Sequence, residues 1–348
     1  MSNSSEVKRQ NVFQWFANKW TREPLFSTAI ALIIMVILQT LVLGFDYDSF
    51  GSWFQAWINN WINILRNNAG IGIIALGMTL VIMTGGIDLA VGSTLVATGA
   101  LAMMLLDTGT KGLLGMLGIT GIPAFLLTIV LVLVFGYLLG SLIGVSITKG
   151  KVPPFIATLG AMMIFRSVTQ HFMQGYNPKV PTEFLQIASF KLGNYMIMPI
   201  LYWAFIAYVL YYVSKRTIFG RQIIAVGSNE RAARLSGVDV ERVKLKVYAL
   251  MGLLVSIAAV IQVSRIGSMD FSNAGRGMEM DAIAAAVVGG TSMMGGRGLI
   301  LGTVYGMLII AVMNNLLNLF GVPPFLREAF KGFIVICAVL LQKKEKTS

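Results

Sequence analysis

GMTLVIMTGGIDLAVGS, residues 77–93, sets a glycine pair and the carboxylate of Asp88 between two apolar runs. The runs cover 69–84 and 93–106 and carry no charged residue. Each is shorter than the roughly 20 residues that a helix needs to cross the hydrocarbon core of a bilayer. Lipid cannot satisfy open backbone groups, so such segments must be buried in protein or line a wet cavity. The stretch therefore predicts a membrane protein with short or broken helices.

The composition of the whole chain agrees with this interpretation. Of 348 residues, 56% are hydrophobic and only 12% are charged, about half the charge of a soluble domain. The 37 glycines are typical of helices that approach closely in lipid. We expect an all-α polytopic membrane protein of about ten transmembrane helices, at 25–43, 69–84, 93–106, 124–147, 153–173, 196–213, 247–263, 281–294, 299–319 and 329–341.

The basic residues predict how the chain is oriented. The net charge is +12, and Lys and Arg concentrate in segments that flank the apolar runs, as the positive-inside rule describes. An even number of spans separates these segments, so both termini are expected in the cytoplasm. The expected organisation is a cytoplasmic N-terminal segment 1–24, a single transmembrane domain 25–342 with a cytoplasmic loop 214–246, and a cytoplasmic tail 343–348. The basic segments lack interleaved aromatic residues, which argues against a nucleic-acid partner.

Two further patterns concern the architecture. GGID at 85–88 is echoed by GGTS at 289–292, and two glycine-interrupted hairpins, one in each half of a chain, are a sign of internal duplication. Trp53, Trp57 and Trp61 follow a helical spacing. They predict a short separate helix at the outer interface, where tryptophan anchors membrane proteins; sugar stacking is the alternative.

Several kinds of chemistry are missing from the sequence. There is no G-x-x-x-x-G-K-[ST] loop, so ATP hydrolysis would have to come from another subunit. His171 is the only histidine and Cys337 the only cysteine, which argues against zinc sites and histidine triads. We expect a protein that is not an enzyme, with no catalytic residue, no metal site and no cofactor of its own.

Polar side chains within the apolar runs are candidates for a translocation pathway: Asp88, Ser93, Thr158, Gln262, Asn314 and Asn315. A carboxylate in a membrane segment is costly unless it is paired or hydrated. Asp88 either orients a polar wall or holds a structural turn. The amides either line the pathway or join helices through hydrogen bonds.

Arg166 interrupts an otherwise apolar run, and two acids, Glu279 and Asp281, open another. Charges at such depth usually find partners inside a helix bundle. A buried pair between Arg166 and one of the two acids is one expectation. The other is an arginine that extends to the outer interface.

The basic loop is long enough to hold a helix over Glu230–Leu235, with Ser228 or Asn229 as its cap and Gly237 as its end. Small residues on a short exposed helix favour docking into a groove of a partner; a solvated loop is the alternative. The candidate coupling residues are Gly220, Arg221, Gly227, Asn229, Glu230, Arg231, Ala232, Ala233, Arg234 and Gly237.

Four blocks together resemble a known family: GMTLVIMTGGIDLAVGS, VPPFIATLGAMM, GRQIIAVGSNERAARLSGV and DAIAAAVVGGTSMMGGRG. Their order and spacing are similar to those of the permease subunits of bacterial ABC importers for monosaccharides, the ribose, xylose, arabinose and galactoside group. The resemblance covers about 65–341. It implies a homodimer or heterodimer of permeases in the inner membrane, an extracytoplasmic sugar-binding protein, and a cytoplasmic ATPase, expected as a fused double domain, that binds ATP and Mg. It also implies that the loop around 220–237 meets the ATPase.

The expected function is therefore import of a monosaccharide or simple glycoside, energised by a separate ATPase. Sparse hydroxyls and amides suit a neutral sugar, which needs hydrogen bonds and no counter-charge. A nucleoside, an inositol or a furanose fits the same architecture. A branched-chain amino acid would require groups that recognise a zwitterion, and a carrier driven by H⁺ or Na⁺ would require an ionisable relay.

Overall fold

The computed structural model describes residues 24–109, 111–323, 325–333 and 336. The predicted N-terminal segment up to residue 23, the tail 343–348, Cys337 and most of the predicted span 329–341 lie outside these residues. In the described part the chain is mostly helical, and the only strands are two short ones that form a hairpin.

The first half of the chain contains helices α1 Pro24–Leu43, α2 Phe50–Met83, α3 Val91–Leu106, α4 Leu113–Met116, α5 Gly121–Thr148, α6 Pro154–Met173 and α7 Gln186–Ser189. The hairpin of β1 Lys191–Leu192 and β2 Tyr195–Met196 follows. The second half contains α8 Met198–Arg216, α9 Ile218–Ser228, α10 Glu230–Leu235, α11 Val240–Ile266, α12 Met278–Val288 and α13 Ile300–Leu319. Residues 325–333 form a further helix, α14.

Five of these helices, α1, α2, α5, α11 and α13, are long and apolar enough to cross a membrane, and α3 is a shorter apolar helix. Each of the ten predicted spans overlaps one helix, so the prediction of an all-α polytopic membrane protein is confirmed. Helix α12 has 11 residues, or about 16 Å at 1.5 Å per residue. The predicted span 281–294 is therefore only partly spanning, as its length indicated.

One prediction about the helices is wrong. The tryptophan stripe and the predicted short span 69–84 belong to one continuous helix, α2, of 34 residues. Gly72 lies within this helix and makes room for the Trp203 ring of α8, since a Cβ at Gly72 would lie 2.4 Å from that ring. The indole N–H groups of Trp53 and Trp57 donate to Gly44 O and Thr40 Oγ1, each at 3.0 Å. The stripe thus fastens α2 to the end of α1.

Helix α11 is the centre of the bundle and packs against α2, α3 and α5. It crosses α5 at backbone contact distance, since a Cβ at Gly252 would lie 2.1 Å from Gly136 O and one at Gly140 would lie 2.2 Å from Tyr248 O. In lipid, where apolar side chains gain little by leaving the solvent, such close packing of small residues holds helices together.

The bundle has two distinguishable ends. Residues 144–151 and 214–246 lie together, as the contact between Gly144 and the backbone of Leu245 shows; we call this the basic end. Residues 107–120 and 174–197 lie at the opposite end, the far end, where Tyr176 donates to Asp107 at 2.7 Å.

Candidate functional site

A polar funnel enters the bundle from the far end. Its upper cavity, of about 850 Å³, lies between α6 and the non-helical segment 267–277. A lower cavity, of about 480 Å³, continues towards the middle of the bundle and shares Ser167 and Gln170 with the upper one. The lower cavity is lined by Ser93, Met162, Met163, Arg166, Ser167, Gln170, Arg276, Gly277 and Glu279.

The funnel floor is the contact between the start of α3 and segment 267–277. A Cβ at Gly92 would lie 2.1 Å from Gly275 O, so the two backbones touch. Gly275 has φ +74°, a left-handed conformation that favours glycine. Two glycines are therefore needed to close the floor, and any larger side chain at either position would force it apart.

Arg166 holds the funnel wall together. Its guanidinium donates to Ser272 O at 3.1 Å and to Ala274 O at 3.2 Å, and Arg276 Nε donates to the same Ser272 O at 3.1 Å. These bonds satisfy carbonyls of a non-helical segment that lines a polar cavity, where irregular backbone within a membrane protein is tolerated. Arg166 thus acts as a clamp that binds α6 to segment 267–277.

The expected pairing of Arg166 with an acid is not what the described residues show. No ion pair joins it to Glu279 or Asp281 there. Asp281 pairs instead with Lys331 of α14, with Nζ 2.9 Å from Oδ1. The side chains of this pair are 7% and 12% exposed, so it is a buried charge pair. Two helices distant in sequence are joined by it at the side of α12.

Asp88 has a local role in the structure. It is buried, and its Oδ1 accepts from Ala90 N at 2.8 Å in the turn that leads into α3. Tyr248 donates to the neighbouring Ile87 O at 3.2 Å. Asp88 does not line either cavity of the funnel. This geometry agrees with the alternative in which the carboxylate of Asp88 holds a structural turn.

The other pathway candidates are not brought together at one place. Ser93 alone lines the funnel. Thr158 is buried and donates to Pro154 O of its own helix at 2.9 Å. Asn315 donates to Asn60 of α2 at 3.2 Å, which joins two helices. Asn314 and Gln262 are half-buried on α13 and α11, outside the cavity linings.

The coupling candidates do lie together, at the basic end. Asn229 caps α10 by accepting from Ala232 N at 3.0 Å, and the chain turns away at Gly237, with φ +82°. The cap and end that the sequence indicated for Glu230–Leu235 are both present. Gly220 and Arg221 belong to α9, a second helix that the sequence did not predict. Gly220 is buried against Ser214 O, whereas Arg221 is exposed.

Ion pairs fix α10 to the start of α11. Arg234 lies 3.0 Å from Glu230 and 2.6 Å from Glu241, and Lys244 lies 2.6 Å from Glu230. The hydrogen bond from Lys244, with a further one from Arg234, holds the pKa of Glu230 below its usual range. Arg231 has no ion pair among the described residues and is exposed, as are Ala232 and Leu235; Leu235 is 86% exposed.

Three backbone segments meet beneath α9 and α10. Gly296 N donates to Met83 O at 2.9 Å, which joins the turn after α2 to the turn after α12. A Cβ at Gly227 would lie 1.7 Å from Met83 O and 2.5 Å from Gly296 N. The end of α9 therefore sits directly on both glycine-rich turns, and we call this contact the glycine junction.

The sequence that forms the short helix α10, the two glycine-rich turns and the polar funnel matches a known family. Residues 60–339 match the family described as branched-chain amino acid transport system / permease component. The chain belongs to this family of permease components. Membership makes it a multi-pass membrane transport subunit, and it implies an ATPase and a substrate-binding protein as partners.

Known relatives of the permease are named for the import or transport of sugars. It is 37% identical over 340 residues to the ribose import permease protein RbsC of Escherichia coli K12, covering 96% of this chain and 97% of the relative. The RbsC protein of Bacillus subtilis is 42% identical over 82% of this chain and 85% of its own. The xylose transport system permease protein XylH of Escherichia coli K12 is 32% identical over 90% and 92%. No solved structure matches the permease significantly.

Several residues of the permease's funnel were not identified from the sequence as pathway residues. Gln170 and Ser167 sit on α6 with ordinary helical spacing, and Arg276 lies in a loop-like stretch. Arg166 and Glu279 were noted in the sequence because they are charged. They line the same cavity only because segment 267–277 turns back into the bundle. The local signals are Gly267, Gly275 and Gly277, which all have positive φ, and Asp270, which accepts from the backbone N–H groups two and three residues further on. They indicate a turn, but they do not indicate that the segment returns into the bundle.

Proposed function

We propose that this permease imports a monosaccharide as part of an ABC importer. A separate ATPase binds the basic end, and an extracytoplasmic sugar-binding protein delivers the cargo to the far end. Relatives named for ribose and xylose support this cargo, as does one named for galactofuranose that is 36% identical. Both termini are then cytoplasmic, and two permeases, identical or different, form the complete pathway with a fused double ATPase.

The observation that carries the proposal is the glycine junction. The exposed tip of α10, with Arg231 and Leu235, offers a charged group and an apolar group to a partner. The same segment presses through Gly227 on the turns that end α2 and α12. Because the contact is backbone to backbone, a displacement of α9 has no flexible side chain to absorb it. Movement of the ATPase would thus reach the turn that leads into α3 and the turn that ends α12, and α3 and the segment before α12 are the two parts of the chain that close the funnel floor.

The first experiment tests the energy source and the cargo. The permease is reconstituted in liposomes with its neighbouring ATPase and binding protein, and uptake of labelled ribose, xylose and galactofuranose is measured. We expect ATP-dependent, vanadate-sensitive uptake that survives collapse of the ion gradients. Uptake with a catalytically inactive ATPase, or uptake abolished by ionophores at constant ATP, would show an ion-coupled carrier instead.

A second experiment tests the docking surface. Arg231→Glu reverses a charge that makes no ion pair within the described part of the chain. We expect about a tenfold loss of ATPase affinity, equivalent to about 1.4 kcal/mol, with normal membrane insertion. Lys191→Glu, an equal charge change on an exposed strand at the far end, is the control and should leave ATPase co-purification unchanged. Equal behaviour of the two variants would remove the docking role of α10.

A further inference from the structure

The floor of the funnel contains an unused hydroxyl. Ser93 is fully buried at the start of α3, lines the lower cavity, and its Oγ has no hydrogen-bond partner among the described residues. Buried hydroxyls in helices normally donate to the carbonyl one turn earlier, as Thr98 on the same helix does to Thr94 O at 2.7 Å. An unsatisfied buried hydroxyl costs free energy, so it points to a group that arrives from outside the chain.

The groups around Ser93 suit a polar ligand. Gln170 offers an amide that both donates and accepts, and Glu279 offers a carboxylate that accepts. No ion pair joins Glu279 to Arg166 or Arg276 within the described residues, although all three line the same cavity. Two of the arginine donors are already committed to Ser272 O and Ala274 O. The cavity therefore presents a mixture of donors and acceptors.

The volume of the lower cavity and its closed lower end also suit a site that binds cargo during transport. A volume of about 480 Å³ falls in the range of small-molecule sites, about 300–1,000 Å³. The cavity opens upwards through Ser167 and Gln170 and is closed below by the contact of Gly92 with Gly275. A ligand that descends from the far end must stop at this floor until the two backbones separate.

We propose that the lower cavity is an intermediate binding site for one uncharged polyhydroxylated ring. Ser93, Gln170 and Glu279 exchange hydrogen bonds with its hydroxyls, while Arg166 keeps the wall in place. The inference rests on the proposed function, because it takes the cargo to be a monosaccharide. The inference adds the location at which the cargo binds within the permease and the side chains that contact the cargo.

The test uses thiol labelling in the complete transporter, with ATPase and binding protein present. In a Cys337→Ala background, Ser167→Cys, an exposed position on the wall of both cavities, is treated with a small hydrophilic methanethiosulfonate reagent, with and without ribose. We expect labelling without sugar, and about fivefold slower labelling when free ribose is about four times its dissociation constant. Leucine at the same concentration should give no protection. Thr98→Cys, a buried position outside the cavity, should not be labelled.

The outcomes separate the two claims. Should ATP-driven uptake of every monosaccharide tested be absent, the proposed function fails. Intact ribose uptake without any protection of the introduced thiol overturns the site alone. Protection by leucine rather than ribose overturns the ligand class. Met162→Cys, at a half-buried position that lines the lower cavity, repeats the measurement if Ser167→Cys does not assemble, and unprotected labelling there with intact uptake equally refutes the site.

Discussion

The docking helix α10 and the funnel wall both depend on charged residues, but they use them differently. At α10 the charged side chains pair with one another and remain about 45% exposed, as Arg234 and Glu230 do. In the funnel wall Arg166 donates to backbone carbonyls, and behind it Asp281 and Lys331 pair in a buried position. Exposed pairs contribute little to stability, whereas a buried charge that loses its partner is costly.

This difference separates two tasks. Under the proposed function, the ion pairs of α10 shape the surface that contacts the ATPase, so changes there should mainly affect that contact. Arg166 holds the non-helical segment 267–277 inside the bundle, and the pair of Asp281 with Lys331 holds the short helix α12 there. Changes at these charges should mainly affect the fold. The predictions below compare matched substitutions in the two regions.

The largest effect is expected for the buried pair. Lys331→Met leaves Asp281 buried without its cation and should lower the free energy of unfolding by about 3–5 kcal/mol. Lys244→Met, which removes a lysine of the α10 network with a 2.6 Å contact to Glu230, should cost about 1 kcal/mol or less. Thermal unfolding of the two variants in the same detergent measures the difference.

A double variant gives the control for this pair. Asp281→Leu combined with Lys331→Met replaces both charges by apolar groups and should recover most of the loss, since no buried charge is then left alone. If Lys331→Met is no more damaging than Lys244→Met, the two regions do not differ in the way described.

The second prediction concerns the clamp. Arg166→Met removes the two hydrogen bonds that the guanidinium donates to Ser272 O and Ala274 O. Because Arg166 is half-buried and Ser272 is exposed, water can replace part of these bonds, and we expect a loss of about 1–2 kcal/mol in total. We expect faster amide hydrogen exchange over 270–277 without a change in the exchange of α10. Arg276→Met removes a single bond to Ser272 O and should have a smaller effect. Exchange that rises equally in both regions would contradict a local clamp.

The docking helix could be predicted from the sequence because its signals are local. Asn229 caps a helix of six residues that ends just before Ser236 and Gly237, and the ion pair of Arg234 with Glu230 is spaced i, i+4. Even here α9 was missed, since the basic segment was read as a loop leading to one helix. The apolar runs were identified for the same reason: each is a property of neighbouring residues.

The funnel could not be predicted because the groups that contact each other there lie far apart in the sequence. Some of these groups are also backbone carbonyls, not side chains. The acceptors of Arg166 are backbone carbonyls more than 100 positions away, and any residue type supplies a carbonyl. Lys331 lies 50 positions from Asp281, so charge pattern alone could not choose it over Arg166. The continuity of α2 was missed because the spans were identified as uncharged runs, and Arg66 lies between the tryptophan stripe and the run that begins at residue 69.

The smallest effect is expected from acidification of the α10 network. Glu230 has a pKa below its usual range because Lys244 and Arg234 hydrogen-bond its carboxylate. The ionised form is therefore favoured by folding, and its contribution is present near neutral pH and is lost as pH falls through the lowered pKa. For an exposed network we expect about 1 kcal/mol or less. A nitroxide attached to Ser236→Cys in a Cys337→Ala background should gain mobility on acidification. Glu230→Gln should show the mobile spectrum already at neutral pH and little further change, and an unchanged acid response in that variant would assign the effect to another group.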